Sequence, residues 1–183
     1  AIAAKEPTRL QRMIEDLLAF NAFAAGELRV EKTLCPLNTL VQEIADQWLL
    51  GQEEGRVKIK VQPRPEDPII TTDPLRLRQI LYNLFNNAQQ ALPAGGKIEV
   101  TFDETKDEIR INVRDNGPGI PPAEQGLIFE RFFRGGSKKD RVRGMGLGLP
   151  FSKMMAQALG GDLDLTNTSA QGTTFTLTLK KHP

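Results

Sequence analysis

The sequence predicts an α+β fold: a two-layer sandwich with a mixed, mostly antiparallel sheet, helices on one face, and one amphipathic helix in front. Three observations predict it. Helical and strand periodicities alternate irregularly, without the repeating β-α-β rhythm of a doubly wound sheet. The late strands come as hairpins joined by short polar turns. The length of 183 residues is enough for one buried core without staples.

The first helix carries Leu10, Met13, Leu17, Phe20 and Ala24 at alternating three- and four-residue steps, widened by Ile14 and Leu18. Such a heptad-like stripe suits packing against another helix. An ordinary amphipathic helix lying on its own domain is the plainer alternative. A domain boundary is expected here, with residues 1–27 as a separate helix and 28–183 as the domain proper. Residues 28–34 alternate as a strand. Pro36 and Asn38 then open a helix with Leu40, Val41, Ile44, Ala45 and Trp48 on one side. Val57, Ile59 and Val61 alternate with lysines as a half-buried strand, and three prolines precede a short strand at 69–71.

Asp73 and Pro74 supply an N-cap and a first-turn proline for a helix running to about Ala91, whose apolar face includes Leu77, Ile80, Leu81, Leu84, Phe85 and Ala88. Strands follow at 97–102 and 108–114. The stretch 115–146 is irregular, and a loop of that length in a compact domain marks a lid or binding loop. A helix at 147–159 and a hairpin of 162–167 with 173–179 complete the chain.

Composition removes several function classes. The 24 Lys and Arg against 23 Asp and Glu leave no basic footprint for nucleic acid. One cysteine, Cys35, makes neither a disulfide nor a zinc site, and points to a reducing compartment, most simply the cytoplasm. No apolar run is long enough to span a membrane, so no membrane contact by this chain is expected, whether or not its parent is anchored.

Three groups converge on the long loop. Asp115-Asn116-Gly117-Pro118-Gly119-Ile120 follows a strand; its carboxylate can accept from an exocyclic amine, and its glycines admit a flat ring, although the same residues also make ordinary turns. Gly144, Gly146 and Gly148 alternate at the mouth of a helix, where exposed amides and the helix dipole favour a phosphate chain. No Gly-Lys-Ser/Thr follows, so this is not a Walker loop. Asn83 and Asn87 stand four residues apart on one helix face, and an amide oxygen suits Mg²⁺ held otherwise by water and phosphate. Solvated polar positions are the plainer alternative for Asn86 and Asn87.

Taken in order, Asn83-Leu84-Phe85-Asn86-Asn87-Ala88, the Asp115–Ile120 motif, Ile128-Phe129-Glu130-Arg131-Phe132-Phe133 and Gly144-Met145-Gly146-Leu147-Gly148-Leu149 resemble the N, first glycine, phenylalanine and second glycine boxes of two-component sensor histidine kinases. The resemblance covers residue 28 to the end. It implies the Bergerat ATP-binding fold shared with gyrase- and Hsp90-type ATPases. The preceding helix resembles the second helix of the family's dimerisation and phosphotransfer hairpin.

The resemblance also implies roles. Asp115 would receive the adenine amine, Gly119 would close over the base with Gly117 and Ile120 in the same cleft, and Thr173 would meet adenine partly through water. Asn87 would ligate Mg²⁺, and Asn83 would assist at the metal or phosphates. Gly144, Gly146 and Gly148, with Leu147 among them, would present amides to the phosphates. Arg134 would reach the γ-phosphate, with Arg143 as a further cation at the phosphates. Lys138, Lys139 and Arg141 read as a solvated face, and Phe129, Phe132 and Phe133 as anchors of the lid.

After the N box, Gln89-Gln90-Ala91 replaces the usual lysine and aromatic, a variant resembling the nitrogen-regulatory kinases. The one histidine, His182, sits in a Lys-Lys-His-Pro tail without a helical acceptor context. The phosphoacceptor is therefore expected on a hairpin outside this chain, in a parent that is a homodimer and signals to a response regulator. This chain alone would bind Mg·ATP without phosphorylating itself. A gyrase- or chaperone-type ATPase, an anti-sigma serine kinase and a non-catalytic nucleotide-binding module are the alternatives. Asn83 speaks against the first, because an amide cannot act as a general base for water.

Overall fold

Alternation along the strands decides how the sheet faces. A computed structural model describes residues 9–26, 29–52, 56–135 and 146–181. Five strands, β2 (Val57–Val61), β4 (Gly96–Glu104), β5 (Glu108–Asp115), β6 (Asp162–Ser169) and β7 (Gly172–Lys180), form one sheet in the order β2-β4-β5-β7-β6. Only β2 and β4 pair in parallel; the other neighbours are antiparallel. The sheet is therefore mixed and mostly antiparallel, as expected.

On the inner face, Ile98, Val100, Ile111, Val113 and Leu177 are almost wholly buried. They pack with the apolar sides of α2 (Leu37–Leu50), α3 (Pro74–Ala91) and α5 (Gly148–Ala158) in a single core. Each fully buried side chain of this size contributes about 1.5–3 kcal/mol. The outer face is polar and internally bonded: Thr176 donates to Asn112 Oδ1 at 2.7 Å, and Asn112 Nδ2 donates to Asp103 at 2.6 Å.

One expectation is corrected. The strand read at 28–34 is β1 (Thr33–Pro36), and it pairs with β3 (Ile69–Thr72) in a separate two-stranded sheet. Long-range bonds hold it there. Asp73 accepts the Glu31 N–H at 2.8 Å, and the Leu37 N–H donates to the Pro68 carbonyl at 3.0 Å. Pro36 has no amide to give a further strand.

The helix starts differ in kind. Asp73 caps α3 locally, accepting from the Leu75 and Arg76 amides, as its sequence implies. At α2 the cap residue is Pro36, which offers no side-chain acceptor. Asp67 reaches across instead and accepts from the Asn38 amide at 2.6 Å and from the Thr39 amide and hydroxyl. Desolvation opposes its charge, but those bonds outweigh it and hold the carboxyl below its usual range.

α1 (Arg9–Ala24) lies against the domain through the C-terminal part of its stripe. Phe20 is buried, and Phe20 and Phe23 pack against Phe151 of α5 with ring centroids 6.2 and 5.8 Å apart. Ile14, Leu17 and Leu18 remain exposed, while the side chains of Leu10 and Met13 lie outside the described residues. Among the described residues, no helix is long and apolar enough to cross a membrane.

Candidate functional site

Asn83, Asn87 and Ala91 stand at four-residue steps on α3 and therefore share one helix face. Each end of that face meets a glycine motif. Asn83 Nδ2 donates to Ser152 Oγ of α5 at 3.0 Å and to the Gly148 carbonyl at 3.4 Å. At the other end, a Cβ on Gly117 would stand 3.1 Å from the Ala91 carbonyl oxygen, so the loop after β5 lies directly against the helix. Asn87 sits between them, half-buried, and its side chain hydrogen-bonds to no other described residue. Its neighbour Asn86 is not merely solvated: it accepts the Trp48 indole N–H at 2.9 Å and ties α3 to α2.

Asp115 closes β5 opposite Thr173, the second residue of β7, and both are about 95% buried. The carboxylate accepts the Gly117 N–H at 2.8 Å. Burial pushes its pKa up, and the Gly117 and Thr173 amides only partly offset this. A buried acceptor that retains a lone pair is what an amine donor requires. The loop beyond is clamped to the β6–β7 hairpin. Ile120 N–H donates to Thr168 Oγ1 at 2.8 Å, and Thr168 Oγ1 lies 3.2 Å from Thr173 Oγ1. Gly119 has φ +81°, and a Cβ there would collide with the Ser169 carbonyl, so only glycine fits.

Beyond the helix α4 (Pro122–Gln125), the phenylalanine segment forms the base of the long loop. Phe129 packs edge-on to Phe175, and Lys153 Nζ stands 5.0 Å over its ring. Phe133 is half-buried on the core. Phe132 departs from its expected role: it is 61% exposed with φ +64°, and its amide donates to the Gly146 carbonyl at 3.0 Å. Arg131 stacks over Phe20, its guanidinium carbon 4.8 Å from the ring centroid, and joins this segment to α1. Arg134 has Nη2 buried without a partner among the described residues.

The α5 helix begins at Gly148 with no side-chain cap, leaving its first amides, beside Gly146 and Leu147, available to an anion. Arg143 and Gly144 lie outside the described residues, as do Lys138, Lys139, Arg141 and His182. The structure thus brings together Asn83, Asn87, Gly117 and Gly148 around one helix face, and Asp115, Gly119, Ile120 and Thr173 around one loop. Sequence reasoning missed Ser152 and Thr168.

These donors fit Mg²⁺ with a nucleotide in one respect. No group of three or more His, Cys, Asp or Glu stands ready for a metal among the described residues. A cation here would rely on an amide oxygen such as that of Asn87, together with water and phosphate.

Residues 72–183 match the family described as histidine kinase-, DNA gyrase B- and HSP90-like ATPase. The chain belongs to that family. It is 33% identical over 175 residues to the alginate biosynthesis sensor protein KinB of Pseudomonas aeruginosa, covering 96% of this chain and 29% of that protein. The chain therefore spans under a third of that relative. Among solved structures, the nucleotide-free catalytic domain of histidine kinase ThkA superposes with a TM-score of 0.71 at 28% identity, covering 84% of this chain and 99% of that one. Full-length ShkA in complex with AMPPNP gives a TM-score of 0.74 at 25% identity, covering 96% of this chain and 40% of that one.

Proposed function

We propose that this domain binds Mg·ATP and delivers its γ-phosphoryl group to a histidine on a separate helical hairpin, as the catalytic unit of a two-component sensor kinase. The observation that carries the reading is the α3 face, where the Asn87 side chain, between the two glycine motifs, has no hydrogen-bond partner among the described residues. In this reading Asp115 accepts the adenine amine, and Thr173, Gly117, Gly119 and Ile120 frame the base. Asn87 offers its oxygen to Mg²⁺, and Asn83 orients the start of α5, where the amides of Gly146, Leu147 and Gly148, with Gly144, meet phosphate. Arg134 and Arg143 are the cations for the terminal phosphate. When bound, Mg²⁺ neutralises charge on the triphosphate oxygens. The chain's own part is positioning and charge stabilisation, which suits a loose phosphoryl-transfer transition state. Residues 1–27 would belong to the hairpin of a homodimeric parent, which would pass phosphate to a response regulator.

A hydrolytic ATPase needs a base to activate water. Asn83 offers none, and its amide is already bonded to Ser152 and Gly148. Phosphate release from Mg·ATP by this chain is therefore expected to be barely above the uncatalysed level. Brisk multiple-turnover release would replace the kinase reading with the ATPase one.

A further inference from the structure

Thr168 has no role in the reading above, yet it stands at the centre of the contacts around the base-binding end. Strict alternation from buried Leu163 would turn Thr168 to the outer face of β6. The register instead shifts between Leu165 and Asn167, a bulge that places Asn167 opposite Thr174 and Thr168 opposite Thr173. The extra residue, Thr166, stays outside and bonds Thr176 Oγ1 at 2.8 Å. Bulges beside functional sites re-aim a side chain, and this one aims Thr168 at Thr173 and the loop after Asp115.

We propose that Thr168 is a positioning residue for base selection, a role that rests on Asp115 and Thr173 being the pair that reads the base. An amide N–H can only donate, so Ile120 occupies one lone pair of Thr168 Oγ1. Distance alone lets either hydroxyl of the Thr168–Thr173 pair donate. Accepting from Ile120 polarises Thr168 towards donating onward, and Thr173 receives its proton. The hydroxyl hydrogen of Thr173 is then directed away from Thr168, towards the base edge or its bridging water. Asp115 as acceptor beside Thr173 as donor matches a 6-aminopurine, whose amine donates and whose N1 accepts. A 6-oxopurine presents the reverse pattern at both atoms. Without Thr168, the Thr173 hydroxyl can turn either way, and the discrimination supplied by N1 is lost.

The test is calorimetric affinity for ATP and GTP in the wild type, Thr168→Val, Thr168→Ala and Thr168→Ser, with hydrogen exchange at the Ile120 amide. Valine and alanine both remove the acceptor; the second guards against a folding failure of the first. The expected result is ATP binding weakened by about tenfold in both, with GTP little changed, so that selectivity narrows by about the same factor. Ile120 should exchange faster in both, and serine should restore affinity, selectivity and protection. Unchanged ATP affinity in valine and alanine, or equal losses for ATP and GTP, overturns the role of Thr168 while leaving Asp115 in place. ATP affinity that Asp115→Asn does not alter overturns the underlying reading, and this inference with it.

Discussion

Asp115 is under two opposing demands. Burial makes its charge costly, and in the proposed role the same burial would make it a selective acceptor for the adenine amine. Replacing it with asparagine presents a donor or a weaker acceptor to the adenine amine, and ATP affinity should fall by about 1–3 kcal/mol in calorimetry. Stability should move the other way. With the folded pKa raised above 3.8, the folded protein holds the proton longer than the unfolded chain, so stability falls as pH rises from 3.8 through the folded value. At neutral pH, Asp115→Asn without nucleotide should therefore melt higher than wild type. ATP affinity in the wild type should drop on acidification before an ordinary aspartate would protonate, with no matching step in the variant. For Asn87→Ala, binding of Mg·ATP should weaken far more than binding of metal-free ATP; equal losses would make Asn87 a packing residue. Asp115 and Asn87 stood out in the sequence as candidates because their types, order and neighbours carry chemistry. Thr168 did not, since strand alternation sends it to the wrong face until the bulge is known.

Among the elements, α3 was readable end to end because its signals are local: Asp73 and Pro74 start it and the apolar face runs unbroken. The start of α2 was not, because its cap comes from Asp67, twenty-eight residues beyond Thr39. Asp67→Ala should lower stability by about 0.5–2 kcal/mol in urea unfolding, with ATP affinity unaffected, since the site lies on other elements. A change below 0.3 kcal/mol would mean that solvent satisfies those amides equally well. The separate pairing of β1 with β3 was hidden for the same reason: their register joins Thr33 to Thr72, and nothing in either strand's own pattern states a partner.

For the molecule as a whole, the class of fold followed from hairpins and periodicity, while the function followed from four motifs whose spacing made sense only together. The fold explains why: the N box lies on α3, the first glycine motif ends β5, the second opens α5, and the α3 face is where they meet. The contact of Phe20 and Phe23 with Phe151, and of Arg131 with Phe20, also ties α1 to the element that carries the second glycine motif. The most direct measurement of the central claim mixes this chain with the histidine-bearing hairpin of its parent and γ-labelled Mg·ATP. Label should appear on the hairpin, acid-labile and base-stable, should require both components, and at limiting ATP should fall with Asp115→Asn in step with its weaker ATP affinity. Acid-stable label, or label released only as free phosphate, would contradict a histidine kinase.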